Sequence, residues 1–261
     1  MSALECIDAG FQVGTKALLS GVTATLLPGR FCAILGPNGA GKSTLLSLLS
    51  GQRRPMHGQV RLDDRRIEQH DAAQLALRRA VMPQESSVAF DFNAEEIVTL
   101  GRLPHRAAPE ANEREIVSNA MALTGVSSLG PRILNTLSGG EKARVHLARA
   151  LAQLWNPRPD GASRWLLLDE PTAALDVAHQ HSAMALVRDR ASQGVGVVAV
   201  LHDLNLALRY ADEVIVLGQG RLVAHGPSAE VLNPPLVREV WRTPCELVQG
   251  QNGAPQYLFG A

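Results

Sequence analysis

Apolar residues fall into two kinds of run along this chain. Short unbroken runs occupy Phe31–Leu35, Trp165–Leu168 and Val195–Leu201, and they stop at Gly36, Asp169 and His202. Runs apolar on both faces predict central strands of a parallel sheet covered by helices. Spaced runs, with apolar residues recurring every third or fourth position, cover Leu45–Leu49, Ala94–Leu100, Asn112–Thr124 and Glu141–Leu154 and predict helices. In the last of these, Val145, Ala148, Leu151, Ala152 and Trp155 fall on one stripe. His181–Gln193 predicts a crossover helix. Val60–Leu62 predicts a short strand after the Pro55–Gly58 turn. Val214–Leu217, Gly218–Gly220 and Arg221–Ala224 predict a hairpin. The pattern is that of an α/β protein with a helical stretch inserted after about Gln84. Asn156–Ser163 is a loop rich in proline and glycine, and there is no internal repeat.

Composition narrows the function more than the fold. The 261 residues carry 25 basic and 25 acidic side chains, a formal net charge of zero, and 46% are apolar. That balance argues against a general nucleic-acid binder, which needs a basic excess, and against a polybasic membrane-surface protein. No run approaches the roughly 18 apolar residues of a membrane helix. The N-terminus lacks the basic-then-apolar order of a signal peptide. Cys6, Cys32 and Cys245 are odd in number and far apart. They read as reduced thiols of a cytosolic protein rather than as a disulfide framework or metal site. The length fits one core with an inserted subdomain.

Three motifs carry chemistry. The strongest is Gly36-Pro37-Asn38-Gly39-Ala40-Gly41-Lys42-Ser43, which fits GxxxxGK[ST], with Thr44 following. Glycines let the backbone curl so that its N–H groups converge on phosphate oxygens, and the following helix adds the positive end of its dipole. Lys42 is placed to reach the β- and γ-phosphates, and the Ser43 hydroxyl to ligate Mg²⁺. Only three lysines stand against 22 arginines, so Lys42 does not come from a lysine-rich background. The second motif is Trp165–Asp169 with Glu170, a buried strand ending in two acids. Asp169 suits the metal and Glu170 suits a general base that orients water. The third is Leu137-Ser138-Gly139-Gly140-Glu141 before the stripe helix. It reads as a helix cap and also as a second anion site, because both use the same groups.

On these residues the chain resembles the ATP-binding-cassette (ABC) ATPases over essentially its whole length. Gly36–Thr44 matches Walker A, Gln84 the Q-loop, Leu137–Glu141 the signature, Leu166–Asp169 with Glu170 Walker B, Ala173–Asp176 the D-loop, and His202 the switch histidine. The resemblance implies a P-loop NTPase (RecA-like) core with an N-terminal antiparallel β subdomain and an inserted α-helical subdomain. The expected division is 1–84 and 160–225 for the catalytic core, 85–159 for the helical subdomain with the signature, and 226–261 for a C-terminal segment. It implies a dimer with two ATPs, each on one subunit's Walker A and under Ser138, Gly139, Gly140 and Glu141 of the other. Ser43, Gln84 and Asp169 would hold Mg²⁺. Glu170, His202 and Lys42 would carry catalysis, and Asp176 would cross the dimer interface. Two positions depart from the common pattern. Glu141 stands where many relatives have glutamine, and Phe11 stands where the adenine-stacking aromatic is usually tyrosine.

The stretches VTLGRLPH (98–105) and LHDLNLALRYADEVIVLGQGRLVAHGP (201–227) resemble the ATPases of importers for iron-siderophores, haem and cobalamin. The combination LAQLW-NP…RWLLLDEPTAALD, with a surplus loop around Trp155–Arg164 between Ser138 and Asp169, resembles the haem (hemin) importer ATPases in particular. The implied partners are two membrane-spanning permease subunits, a second copy of this chain and, indirectly, a periplasmic binding protein. The implied place is the cytoplasmic face of the bacterial inner membrane, and the implied contact surface lies near Glu85–Phe92 and Arg102–His105. A ferric siderophore or cobalamin is the alternative cargo. A soluble ABC protein acting on DNA or ribosomes is disfavoured by the zero charge and the single cassette. A P-loop kinase or GTPase would have no use for Leu137–Glu141.

Overall fold

The computed structural model describes residues 3–84, 90–250 and 253–260. In chain order the elements are β1 (Leu4–Val13), β2 (Lys16–Leu26), β3 (Phe31–Leu35), α1 (Lys42–Leu49), β4 (His57–Leu62) and β5 (Arg65–Arg66). Then come α2 (Ala72–Arg78), β6 (Arg79–Met82), α3 (Ala94–Leu100), α4 (Glu113–Leu123), α5 (Gly139–Gln153), β7 (Trp165–Asp169) and α6 (Val177–Ser192). The chain continues through β8 (Gly196–Val200), α7 (Leu204–Tyr210), β9 (Glu213–Gly218), β10 (Arg221–Pro227), α8 (Ser228–Val231), α9 (Pro234–Trp241), β11 (Cys245–Gln249) and β12 (Pro255–Phe259).

A six-stranded sheet in the order β10-β9-β3-β8-β7-β6 forms the centre. Strands β9, β3, β8, β7 and β6 run parallel, and β10 closes one edge antiparallel to β9. Residues alternate between its two faces, as the period of a strand requires. Phe31, Ala33 and Leu35 enter one core cluster, with Leu166, Leu168, Val197 and Ala199. Cys32 and Ile34 enter another, with Trp165, Leu167, Val198 and Val200. Burial on both faces explains the unbroken apolar runs. One face is covered by α5, α6, α7 and the C-terminal elements. The other is covered by α1 and an antiparallel sheet in the order β2-β1-β4-β5. A third cluster, built from α3, α4 and one side of α5, contains Ile97, Ile116, Val145 and Ala148. The three cysteines are free and buried. Among the described residues no helix is long and apolar enough to cross a membrane.

Two expected elements differ in detail. The stripe on α5 divides between clusters: Val145, Ala148, Ala152 and Trp155 pack with α3 and α4, whereas Leu151 faces the central sheet. The helix is apolar on two sides because it joins two cores. The crossover helix α6 begins at Val177, before the expected His181, because the Asp176 side chain caps it by accepting from the His179 N–H at 2.9 Å.

Candidate active site

The motifs meet at the carboxyl ends of four neighbouring parallel strands. Gly36 follows β3, His202 follows β8, Glu170 follows β7 and Gln84 follows β6, and these strands lie side by side in that order. Open α/β sheets bind ligands at this edge. A cleft of about 690 Å³ there is lined by Asn38, Gly39, Gly41, Lys42, Ser43, Thr44, Gln84, Glu170 and His202, and by Leu18 from β2.

The loop from Gly36 to Gly41 needs its glycines at two points in particular. Gly36 has φ 148°, and a Cβ there would collide with the Leu217 carbonyl. Gly41 has φ 98° and caps α1, and a Cβ there would come within 2.6 Å of the Leu18 carbonyl oxygen. L-residues rarely adopt such angles. Pro37 and the buried Ala40 complete the turn. The Lys42 ammonium is buried and donates to the carbonyls of Gly36 at 2.8 Å and Pro37 at 3.0 Å, so the loop closes on its own lysine. Burial lowers the Lys42 pKa from its ordinary value, opposed by the negative charges of Glu170 and Asp169.

Opposite the loop, the Ser43 hydroxyl donates to Asp169 Oδ1 at 3.0 Å across 126 positions of sequence. Burial pushes the Asp169 carboxyl above its ordinary range, against the pull of the Ser43 hydrogen bond. Glu170 is held on both oxygens. Gln84 Nε2 donates to Oε2 at 2.8 Å, and His202 Nε2 lies 2.6 Å from Oε1. Its backbone is left-handed, with φ 51°, a conformation that costs energy in a non-glycine residue and concentrates at functional sites. The arrangement places a carboxylate between an amide and an imidazole. A lysine, a hydroxyl and backbone N–H groups face them across the cleft. It can hold a polyphosphate and orient a water against it.

The remaining expected residues lie elsewhere. Ser138 caps α5 in a capping box: Glu141 N–H donates to Ser138 Oγ at 3.3 Å, and Ser138 N–H donates to the Glu141 carboxylate at 2.7 Å. Ser138, Gly139, Gly140 and Glu141 are not among the residues lining the cleft. Gly139 and Gly140 lie instead against the loop after β7, where a Cβ on Gly140 would fall 2.9 Å from the Ala174 carbonyl oxygen. Gln180 ties that loop to α6 by donating to the carbonyls of Thr172 at 3.2 Å and Leu175 at 3.1 Å. Asp176 is exposed and occupied in capping. Phe11 is a half-buried ring of β1 with the Arg53 guanidinium 5.2 Å above its centroid, outside the cleft lining.

Of the expected contact surface, Glu85–Ala89 lies outside the described residues, while Phe90 and Leu103 are exposed. Arg102 is not on the surface. It is buried, and its guanidinium is spent on Glu113, Glu110 and the Ala152 carbonyl. It braces the bundle from within. Leu18 was missed because it belongs to no motif, and Arg102 was expected on the surface because nothing in the local sequence marks an arginine as buried.

Known proteins carry the same organisation. Residues 19–173 match the ABC transporter family. The chain is 47% identical over 232 residues to the hemin import ATP-binding protein HmuV of Gloeobacter violaceus, covering 88% of this chain and 84% of that protein. It is 47% identical over 238 residues to the protein of the same name from Pseudomonas aeruginosa, covering 91% and 92%. Among solved structures, a metal-chelate type ABC transporter in an inward-facing conformation superposes with a TM-score of 0.81. That match has 26% identity and covers 100% of this chain and 98% of that one. A dimeric post-hydrolysis ATP-binding cassette bound to ADP and Pi superposes with a TM-score of 0.75, at 26% identity, covering 86% and 98%.

Proposed function

The chain belongs to the ABC transporter family, and from that premise we propose that it is the ATP-hydrolysing subunit of a hemin importer. It works as a pair of copies at the cytoplasmic face of a bacterial inner membrane. The observation that carries the catalytic part is the seating of Glu170 between Gln84 and His202, opposite Lys42 and the Ser43–Asp169 pair. The relatives' shared name supports the cargo.

Glu170 accepts a proton from the attacking water as its oxygen bonds to the γ-phosphorus and the bond from that phosphorus to the β–γ bridging oxygen breaks, releasing ADP and phosphate. His202 holds the carboxylate on one oxygen and faces the γ-phosphate. Gln84 holds the other oxygen and links the site to residues 85–159. The Gly36–Gly41 amides, Lys42, Ser43 and Thr44 receive the phosphates. The Ser43 hydroxyl, the Asp169 carboxylate and the Gln84 amide oxygen are hard donors that fit Mg²⁺. When bound, Mg²⁺ neutralises phosphate charge. The Phe11 ring offers a stacking face to adenine. Ser138–Glu141 lie outside their own chain's cleft, which supports their use on the ATP of a second copy, with Asp176 at the boundary between copies. Residues 1–84 and 160–225 bind nucleotide in this reading. Residues 85–159 transmit closure to two permease subunits through the surface around Phe90 and Leu103, and a periplasmic binding protein delivers the cargo. Residues 226–261 form the C-terminal segment.

The test is reconstitution of the chain with the permease it co-purifies with, in vesicles supplied with binding protein and cargo. Hemin-loaded binding protein should stimulate ATP hydrolysis and hemin uptake together. Stimulation by a ferric siderophore or cobalamin, with none by hemin, would overturn the cargo assignment.

A further inference from the structure

His202 is exposed at the end of β8, yet its position against Glu170 is set within 2.6 Å. What fixes it lies downstream. The next residue, Asp203, caps α7: its Oδ1 accepts from the N–H groups of Asn205 at 2.7 Å and Leu206 at 3.1 Å. The helix has only seven residues, too few to be stable alone. It is fastened at both ends. At the C-terminal end the Tyr210 hydroxyl pairs with His181 Nδ1 of α6 at 2.9 Å. At the N-terminal end the Asn205 side chain makes a two-point pair with the backbone of Tyr257 in β12. Asn205 Oδ1 accepts from Tyr257 N–H at 2.6 Å, and Asn205 Nδ2 donates to the Tyr257 carbonyl at 3.2 Å.

The strand that receives this pair is itself anchored. Tyr257 and Cys245 of the β11–β12 hairpin are buried in the cluster beneath the central sheet, together with Val237 and Leu232. A cleft of about 460 Å³ opens beside the first turn of α7, between that turn, the start of α6 and the tip of the hairpin. The first turn of α7 is therefore seated by this backbone pair where close packing on one flank gives way to the cleft.

We infer that the C-terminal hairpin is part of the hydrolytic machinery, with Asn205 as the positioning residue through which it sets His202 against Glu170. Both hydrogen bonds of the Asn205 amide are spent on one backbone unit, so the pair fixes the orientation of the first turn as well as its distance. His202 stands three residues before Asn205, at the entrance to that turn. A shift of the turn moves the imidazole along the Glu170 carboxylate. Misplacement by about 1 Å of a group acting on a transition state costs rate rather than substrate affinity. This inference rests on the role proposed above for His202.

The test measures kcat and KM for ATP in the full-length chain carrying Asn205→Ala, His202→Ala, or both, with melting temperatures alongside. Asn205→Ala should lower kcat about tenfold, with KM for ATP within twofold of wild type and an unfolding transition that remains cooperative. In the His202→Ala background the same change should leave the residual rate unaltered, because a residue acting only through His202 has nothing left to act on. An unchanged kcat in Asn205→Ala would overturn the inference. So would a fall in the double variant equal to that in the single one, which marks a general structural effect. Wild-type turnover in His202→Ala alone would instead bring down the role of His202, and the clamp with it.

Discussion

At the residue scale, the site sets opposed charges around a cleft, with Lys42 buried, Asp169 and Glu170 half-buried and His202 exposed. Asp169 shows the consequence. Burial raises its folded-state pKa above the unfolded value, despite the Ser43 hydroxyl. The folded protein then keeps a proton that the unfolded chain has released, so stability falls as pH rises from the ordinary aspartate range through the raised value, and it stays lower above that window. Asp169→Asn keeps an acceptor for Ser43 and removes the charge. In thermal melts without nucleotide it should unfold at a higher temperature than wild type at neutral pH, with the gap closing below the ordinary aspartate range. A gap that does not change with pH would show that burial of charge is not the cause. That the Gly36–Thr44 loop, Gln84, Glu170 and His202 line one cleft agrees with the motif reading, which rests on the glycines, one lysine and one hydroxyl that phosphate binding demands at fixed spacing. The contacts were less legible. Nothing local says that Gln84 and His202 close on the same carboxylate, and Leu18 lines the cleft with no signal at all.

At the element scale, α5 is the member under most conflicting demands. Its first turn is the signature with its capping box, and its two apolar sides join two cores. It also buries His146, whose ring nitrogens have no hydrogen-bond partner. Burial lowers the His146 pKa to about 4, with Arg149 and Lys142 adding to the effect. The unfolded chain takes up a proton near the ordinary value of about 6.5, whereas the folded protein refuses it. Stability contributed by the neutral ring is complete above that value and is lost as pH falls toward about 4, by as much as about 3 kcal/mol. His146→Leu should flatten the melting temperature between those pH values, and an unchanged slope would contradict the burial account. The main strands and helices were readable because burial on both sheet faces, or on one helix face, imposes its own period. The β1–β2 ladder was not readable from pattern, because its register shifts between Cys6 and Gln12 break the alternation. The terminal hairpin was also missed, since most of its residues face solvent.

At the scale of the whole molecule, a strand order of β3-β8-β7-β6 brings Lys42, His202, Glu170 and Gln84 to one cleft and leaves Ser138–Glu141 outside it, which the function proposed above reads as one half of a shared site. That incompleteness is the structural reason to expect a second copy. It was legible only through the family resemblance, because motif spacing along one chain does not tell which copy a motif serves. In the function proposed above, transport would follow from closing and reopening the pair, with residues 85–159 carrying the motion to the permease. The most direct test is sedimentation of the Glu170→Gln variant with ATP and Mg²⁺, where hydrolysis no longer clears the nucleotide. It should run as a dimer that retains ATP, and addition of Ser138→Arg should return it to a monomer that still binds ATP through Gly36–Thr44. A dimer unaffected by Ser138→Arg, or a Glu170→Gln chain that binds ATP yet stays monomeric, would contradict a site shared between two copies.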